Sequence, residues 1–283
     1  MPEPQPTVLV LTALPLEYAA VRAHVEHRRE DVHPTNGTQV ELGRLPGTPW
    51  QVAIGELGEG ARATAALTAS LIDWLRPQAV VFAGVAGSLK DDIVIGDVVV
   101  GTKVYGIHGA KLTPGGPLVR PEAWSGSNAL VQAARSAVRD MAGVRAHFKP
   151  IATGDVVLAD AGSEIARYIR EHYNDAAAIE MEGSGAAHAA HLSGQVDALV
   201  VRGISDRTDE RKSAADAGGS QERAAAQAAS VTVGALRKYR PRGGSGGSAD
   251  SEENPQAVYG GDHIDFRGGT FYGPVIGKQT GRQ

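Results

Sequence analysis

Short apolar runs of strand length alternate with alanine-rich stretches of helical period along most of this chain. "TVLVLTAL" (7–14) reads as a buried strand and "LEYAAVRAHV" (16–25) as the amphipathic helix that follows it. "WQVAIGEL" (50–57) is another strand, and after it Ala63, Ala66, Leu67, Leu71, Trp74 and Leu75 recur at the 3.6-residue period. The series continues with strands at 79–85 and 96–106, a helix near 128–141, an apolar run at 149–159 and a helix at 162–173. A strand at 176–181, a helix at 184–192, a strand at 197–204 and a long helix at about 220–238 complete it. Such alternation predicts a three-layer α/β/α domain around a mixed, largely parallel sheet. In that class catalytic groups belong on loops beyond the carboxyl ends of the strands.

The remaining bounds are compositional. With 283 residues, 42% hydrophobic, the chain can bury a sizeable core, and a net charge of -4 argues against a nucleic-acid partner. The absence of cysteine excludes disulfides, thiolate zinc sites and a cysteine nucleophile. The N-terminal stretch lacks the basic region and cleavage site of a secretory signal, and no apolar run approaches the roughly 18 residues of a membrane span. A soluble cytoplasmic protein is the expectation. After Tyr239 the composition changes to "RPRGGSGGSADSEENPQ", which cannot build a core. The expected organisation is a domain at 7–239, a flexible linker at 240–260 and a β-prone tail at 261–283.

Within the domain, "AAAIEMEGSGAAHAAHL" (176–192) brings Glu180 and Glu182 into otherwise small and apolar surroundings. Where a strand gives way to a helix, one acid can face a pocket while the other anchors the turn; alternatively both are solvated or cap the helix. "RGISDRTDE" (202–210) puts Ser205 and Asp206 at the end of another buried strand, where they would also serve as helix caps. Glu17, just past the first strand, would equally complement a helix dipole. Acids at the ends of three strands of one sheet can converge on one crevice, which suggests acid/base chemistry on a sugar-linked substrate. "GEGARA" (58–63) has the spacing of a dinucleotide-binding turn, but the next strand ends "VVFAGVAGS" without the acid that would hold a ribose diol. No dinucleotide cofactor is expected, and the loop is assigned to the rim of the site. His188 and His191 lack a third ligand nearby, so no metal is expected.

With these residues in hand, the chain resembles the nucleoside phosphorylase superfamily, and within it the 5′-methylthioadenosine/S-adenosylhomocysteine nucleosidases. The resemblance covers about 7–238 and rests on "ALPLE" (13–17), "GVAGSL" (84–89) with "IGDVVV" (95–100), "TGDVV" (153–157), "AIEMEG" (178–183) and "RGISD" (202–206) in order. It implies that Glu17 activates water and that Glu182 holds the ribose hydroxyls, with Met181 against the sugar and Glu180 in support. It further implies that Asp206 protonates N7 of the leaving purine beside Ser205, and that a turn from Val85 to Gly87 approaches sugar and base. Phe82 occupies the position at which phosphorolytic members carry a phosphate-gripping arginine, which favours hydrolysis. The implied activity is cleavage of the N-glycosidic bond of adenine nucleosides, by a homodimer or larger assembly.

The chain departs from the family in offering Val157 and Leu158 where an aromatic residue covers the purine. A Gly-rich loop, "VYGIHGAKLTPGG" (104–116), carries His108 and Lys111, and Arg207, Arg211 and Lys212 follow Asp206. These cations are either solvated loop charges or contacts for a 5′-phosphate chain. A nucleotide such as ATP is therefore a second substrate class, and a catalytically silent nucleoside-binding adaptor a third reading. The tail, "HIDFRGGTFYGPVIG", has two β-prone runs around Gly-Gly. It is similar to bacterial amyloid signalling motifs, which implies recruitment to a receptor with a matching motif and a role in innate defence; the alternative is an inert tail or an added edge strand.

Overall fold

The computed structural model describes residues 5–158, 160, 162–194, 196–208 and 219–241. The expected linker from 242 onward, the tail, and Arg211 and Lys212 lie outside the described residues. The strands are β1 (Thr7–Thr12), β2 (Glu26–Val32), β3 (Gln39–Arg44), β4 (Gln51–Glu56), β5 (Ala79–Ser88) and β6 (Val98–Gly106). They are followed by β7 (Ala110–Thr113), β8 (Gly116–Val119), β9 (Glu122–Ser125), β10 (Ala146–Thr153), β11 (Ala178–Glu180) and β12 (Asp197–Asp206). The helices are α1 (Pro15–Arg22), α2 (Ala61–Leu75), α3 (Asn128–Arg139), α4 (Glu164–His172), α5 (Gly183–Leu192) and α6 (Ser220–Lys238).

One sheet runs in the order β11-β10-β6-β12-β5-β1-β4-β3-β2, with β9 on β6. Its pairings are mixed: β1–β4, β1–β5, β5–β12, β6–β10 and β10–β11 are parallel, while β6–β12 and β2–β3–β4 are antiparallel. β11 also pairs antiparallel with β5, through Ile179↔Gly87 and Ala178↔Ser88. That extra pairing closes β5, β12, β6, β10 and β11 into a ring, so the ends of non-consecutive strands face one another.

Alternation along the strands explains why their sequences are continuously apolar. Val8 and Val10 of β1, with Val81, Val100 and Val201, pack on one face against Val21, Leu130, Val231 and Leu236 of α1, α3 and α6. Leu9 and Leu11, with Val80, Phe82, Val99 and Val200, pack on the other against Leu71, Ile72, Ala186 and Ala190 of α2 and α5. Each fully buried side chain of this kind contributes about 1.5–3 kcal/mol of transfer free energy. The result is the three-layer α/β/α arrangement that the alternation predicts. Trp50 ties the far end together, donating Nε1–H to Leu236 O at 3.1 Å and stacking on Tyr239.

Several segments differ from the sequence reading, which placed no strand at β3 or β9. β2, "EHRREDV", is exposed apart from the half-buried Asp31, so its strand character carries no apolar signature; its charges guard the sheet edge. The Gly-rich loop at 104–116 contains most of a hairpin, β7–β8, turned by Pro114-Gly115 between the paired Thr113 and Gly116. The expected turn at Val85–Gly87 is instead the end of β5, held straight by Gly203↔Val85 and Asp206↔Gly87 on one side and by β11 on the other. Among the described residues no helix is long and apolar enough to cross a membrane.

β12 lies against α6 at Gly203, where an added Cβ would overlap the carbonyl oxygen of Ala224. Backbone stands on both sides of that contact, so nothing can rotate away. Gly203→Ala is expected to destabilise the domain by about 2–3 kcal/mol, seen as a lower denaturation midpoint at unchanged m-value.

Candidate active site

The carboxyl ends of β5, β11 and β12 meet the N-termini of α1, α2 and α5. Pro15 starts α1, and Glu17 in its first turn folds back so that Oε2 accepts from Ala13 N (2.8 Å) and Leu14 N (3.0 Å). Its Oε1 accepts from Val85 N at 2.7 Å, which ties α1 to the end of β5. Glu17 is thus a helix cap and, from the same buried position, a wall of the central cavity.

β11 ends at Glu180, whose Oε2 accepts from the backbone N–H groups of Glu182 (3.0 Å) and Gly183 (2.7 Å), so this acid anchors the strand-to-helix turn. Thr153 at the end of β10 donates its hydroxyl to Glu180 Oε1 and accepts Ser184 N at 3.0 Å. Glu182 occupies the N-cap position of α5 without capping it. Its Oε1 instead accepts Gly60 N at 3.1 Å from the loop before α2. Both acids are buried and border the cavity, and Glu180 also fixes the turn.

Arg202, on β12, binds these groups together. Its Nη2 donates to Glu180 and, at 3.1 Å, to Glu182; its Nη1 stands 3.9 Å from Glu17 and donates to Val85 O at 3.3 Å. The guanidinium lies over the ring of Phe82 at 4.6 Å, and its side chain is 1% exposed. Gly84 leaves the room: a Cβ there would overlap Arg202 Nη1 and come within 2.5 Å of Glu17 Oε1.

β12 shifts register between Ile204 and Asp206, and this bulge at Ser205 re-aims the strand's last residue. Ile204 goes into the core while Asp206 lines the cavity. The Asp206 carboxylate accepts from Ser205 Oγ at 3.0 Å and Thr208 N at 2.9 Å. It sits against Gly87, where a Cβ would overlap Thr208 and approach Asp206 Oδ1 to 2.9 Å.

The structure therefore brings Glu17, Glu180, Glu182, Ser205 and Asp206 to one cavity, with Met181 beside them and Gly87, Val157 and Leu158 completing the wall. His108, Lys111 and Arg207 do not line it. His108 accepts Asp155 N at 2.8 Å over a neighbouring hollow, Lys111 is exposed on β7 and Arg207 is exposed beyond β12. His188 stacks on Trp124 at 5.1 Å, while His191 is exposed over a third hollow beyond α5. Sequence reasoning passed over Arg202 and Thr153, which stand inside quoted motifs but whose partners are distant along the chain, and Glu59, which lines the cavity from the loop before α2.

One guanidinium among three buried carboxylates leaves excess negative charge. Burial pushes the Glu182 carboxyl up to about 7; Arg202 pulls it down, and Glu180 and Glu17 add to the rise. For Arg202, burial opposes the cation, but Glu180, Glu182 and Glu17 outweigh it and raise its pKa. Arg202→Met would leave the three acids facing each other unpaired, and should destabilise the domain by about 3–5 kcal/mol in denaturant titration. The Glu182 shift makes stability depend on pH with a definite sign. Folded Glu182 keeps a proton up to about 7, whereas the unfolded chain loses it near 4.5. The contribution of Glu182 to the stability of the domain should therefore be fully present below that lower value and be lost as pH rises through 7. Glu182→Gln should flatten this slope and melt higher than the parent at pH 8.

Comparison with known proteins agrees with this architecture. The phosphorylase superfamily profile matches residues 7–237. A 5′-methylthioadenosine/S-adenosylhomocysteine nucleosidase of Shewanella sediminis is 30% identical over 194 residues, 66% of this chain and 82% of that protein. The nucleosidase of the same name from Colwellia psychrerythraea, solved with adenine, superposes with a TM-score of 0.72 at 25% identity, over 83% of this chain and 96% of that one. Futalosine hydrolase of Helicobacter pylori shares the fold, with a TM-score of 0.69 at 22% identity over 82% and 97% of the two chains. A single profile spanning the sheet, the helices and all the cavity-lining strand ends settles the lineage: the chain belongs to the phosphorylase superfamily.

Proposed function

We propose that residues 7–239 form a purine nucleosidase that hydrolyses the N-glycosidic bond of adenine nucleosides. The observation that carries this reading is the meeting of Glu17, Glu182 and Asp206, from three separate parts of the chain, around one cavity. Ionised Glu182 accepts hydrogen bonds from the vicinal ribose hydroxyls, and Met181 packs on the sugar. Val157 and Leu158 offer an apolar face to the base. Asp206 delivers a proton to N7, so the purine leaves neutral as the C1′–N9 bond breaks. Charge of oxocarbenium type grows on the ribose, close to the carboxylates that stabilise it. Water attacks C1′ and passes a proton to Glu17, giving free base and free sugar. Arg202 orients Glu17 and Glu182 through the contacts already described.

Water rather than phosphate is favoured because Arg202 is the one cation among the described cavity-lining residues, and it is engaged by three carboxylates. Phe82 is wholly buried beneath it and supplies no anion site. The names of the relatives point to adenine nucleosides with a 5′ thioether as the first substrates to try.

Adenine release followed by chromatography tests the reading. Turnover of methylthioadenosine should proceed without phosphate. Asp206→Asn and Glu17→Gln should each lower kcat by about 10²–10⁴-fold while the melting transition stays cooperative. Strict dependence on phosphate, or near-parental turnover by folded Asp206→Asn, would overturn it.

A further inference from the structure

The cavity carries a marked imbalance of charge on a side that the proposed chemistry does not use. Glu59 borders it from the loop between β4 and α2 and makes no hydrogen bond or ion pair among the described residues. Its neighbours Gly58 (φ +75°) and Gly60 (φ +103°) are both in backbone conformations that favour glycine, and neither has an atom near its missing Cβ. The glycines therefore serve the conformation of the loop rather than close packing. Gly60 N is anchored on Glu182 at 3.1 Å, so Glu59 stands one peptide away from the carboxylate assigned to the ribose diol.

The other charged groups on the cavity wall are Glu17, Glu180, Glu182, Asp206 and Arg202. The buried guanidinium has three carboxylates within 3.9 Å, so its charge is already more than offset before an anionic ligand arrives. Arg62, the nearest cation in sequence to Glu59, pairs with Asp155 at 3.4 Å over the neighbouring hollow. Among the described residues, an anion entering beside the ribose meets uncompensated negative charge.

We propose that Glu59 reads the 5′ substituent of the nucleoside, and that the site selects an uncharged or positively charged group there against a 5′-phosphate. The proposal rests on the nucleosidase reading: with the diol on Glu182, whose Oε1 also holds Gly60 N, the loop at 58–60 is the part of the wall assigned to C5′. The unpaired carboxylate then attracts an ammonium, tolerates a thioether or hydroxyl and repels a phosphate. A cleft in which carboxylates outnumber cations amplifies such discrimination beyond that of a single exposed pair. Of the substrate classes open from the sequence, nucleotides are thereby disfavoured.

Three ligands that differ only at C5′ test it on the full chain: 5′-amino-5′-deoxyadenosine, adenosine and adenosine 5′-monophosphate. Adenine release is measured on the parent enzyme, and calorimetric binding on Asp206→Asn, in which turnover is slowed. The amine is expected to bind about 3- to 10-fold better than adenosine, and the monophosphate at least about 10-fold worse. Glu59→Gln should shrink the amine-to-phosphate ratio, and Glu59→Lys should shrink it about 10-fold further or reverse it. A monophosphate bound as well as adenosine, or a ratio indifferent to both substitutions, would overturn the proposal. The two readings fail separately: adenine release with flat ratios removes the selectivity and leaves the nucleosidase. The expected order of binding without any release removes the nucleosidase and leaves the selectivity. Absence of binding by all three ligands removes both.

Discussion

Everything in the site depends on Arg202 being buried among Glu17, Glu180 and Glu182. A guanidinium 1% exposed in its side chain is tolerable only where opposite charge and hydrogen-bond acceptors replace water. Here the acceptors come from α1, from the end of β11 and from the turn into α5, so the ion cluster also defines where those elements sit. The carboxylates are stabilised in turn by backbone N–H groups at the starts of α1 and α5 and in the loop before α2, where helix dipoles favour negative charge. Each acid is held by backbone N–H groups, near in sequence for Glu180 and distant for Glu182, and is linked to the others through one cation.

The ring of strands makes this cluster possible. Parallel β5 and β12 present their carboxyl ends side by side, and β11 returns antiparallel against Gly87 of β5. Three strand ends thus converge rather than fan out, and glycines at 84 and 87 keep the floor low enough for Arg202 and Asp206 to lie across it. The bulge at Ser205 completes the geometry by turning Asp206 away from the core layer that Ile204 enters.

Much of this was legible in the sequence because burial on both faces of a strand leaves an unmistakable apolar run. β1, β4, β5, β6 and β12 announce themselves in that way, and the acids stand where those runs or the following helices begin and end. What remained hidden depends on pairing partners. β2 has seven residues and no core face, so no periodicity marks it as a strand. Arg202 reads as the interior of an apolar run interrupted by one charge, and only the fold shows that three acids surround it. Gly60 and Thr153 act through an N–H and a hydroxyl aimed at residues more than 25 positions away. Arg207 illustrates the converse: a place next to Asp206 in sequence does not put a side chain in the cavity.

The distribution of donors also says which acid is left for a ligand. Glu17 accepts three backbone N–H groups, and Glu180 accepts two together with the Thr153 hydroxyl and Arg202. Glu182 accepts one backbone N–H and a share of the same guanidinium, although it is buried to a similar degree. Burial raises its pKa, and so few donors offset that rise only in part. Two adjacent sugar hydroxyls would provide the donors that the protein withholds, stabilising the ionised form at the moment of binding. The two donors that Glu182 has, against four for Glu180, thus tie the arrangement of backbone and guanidinium to the diol-binding chemistry proposed for it.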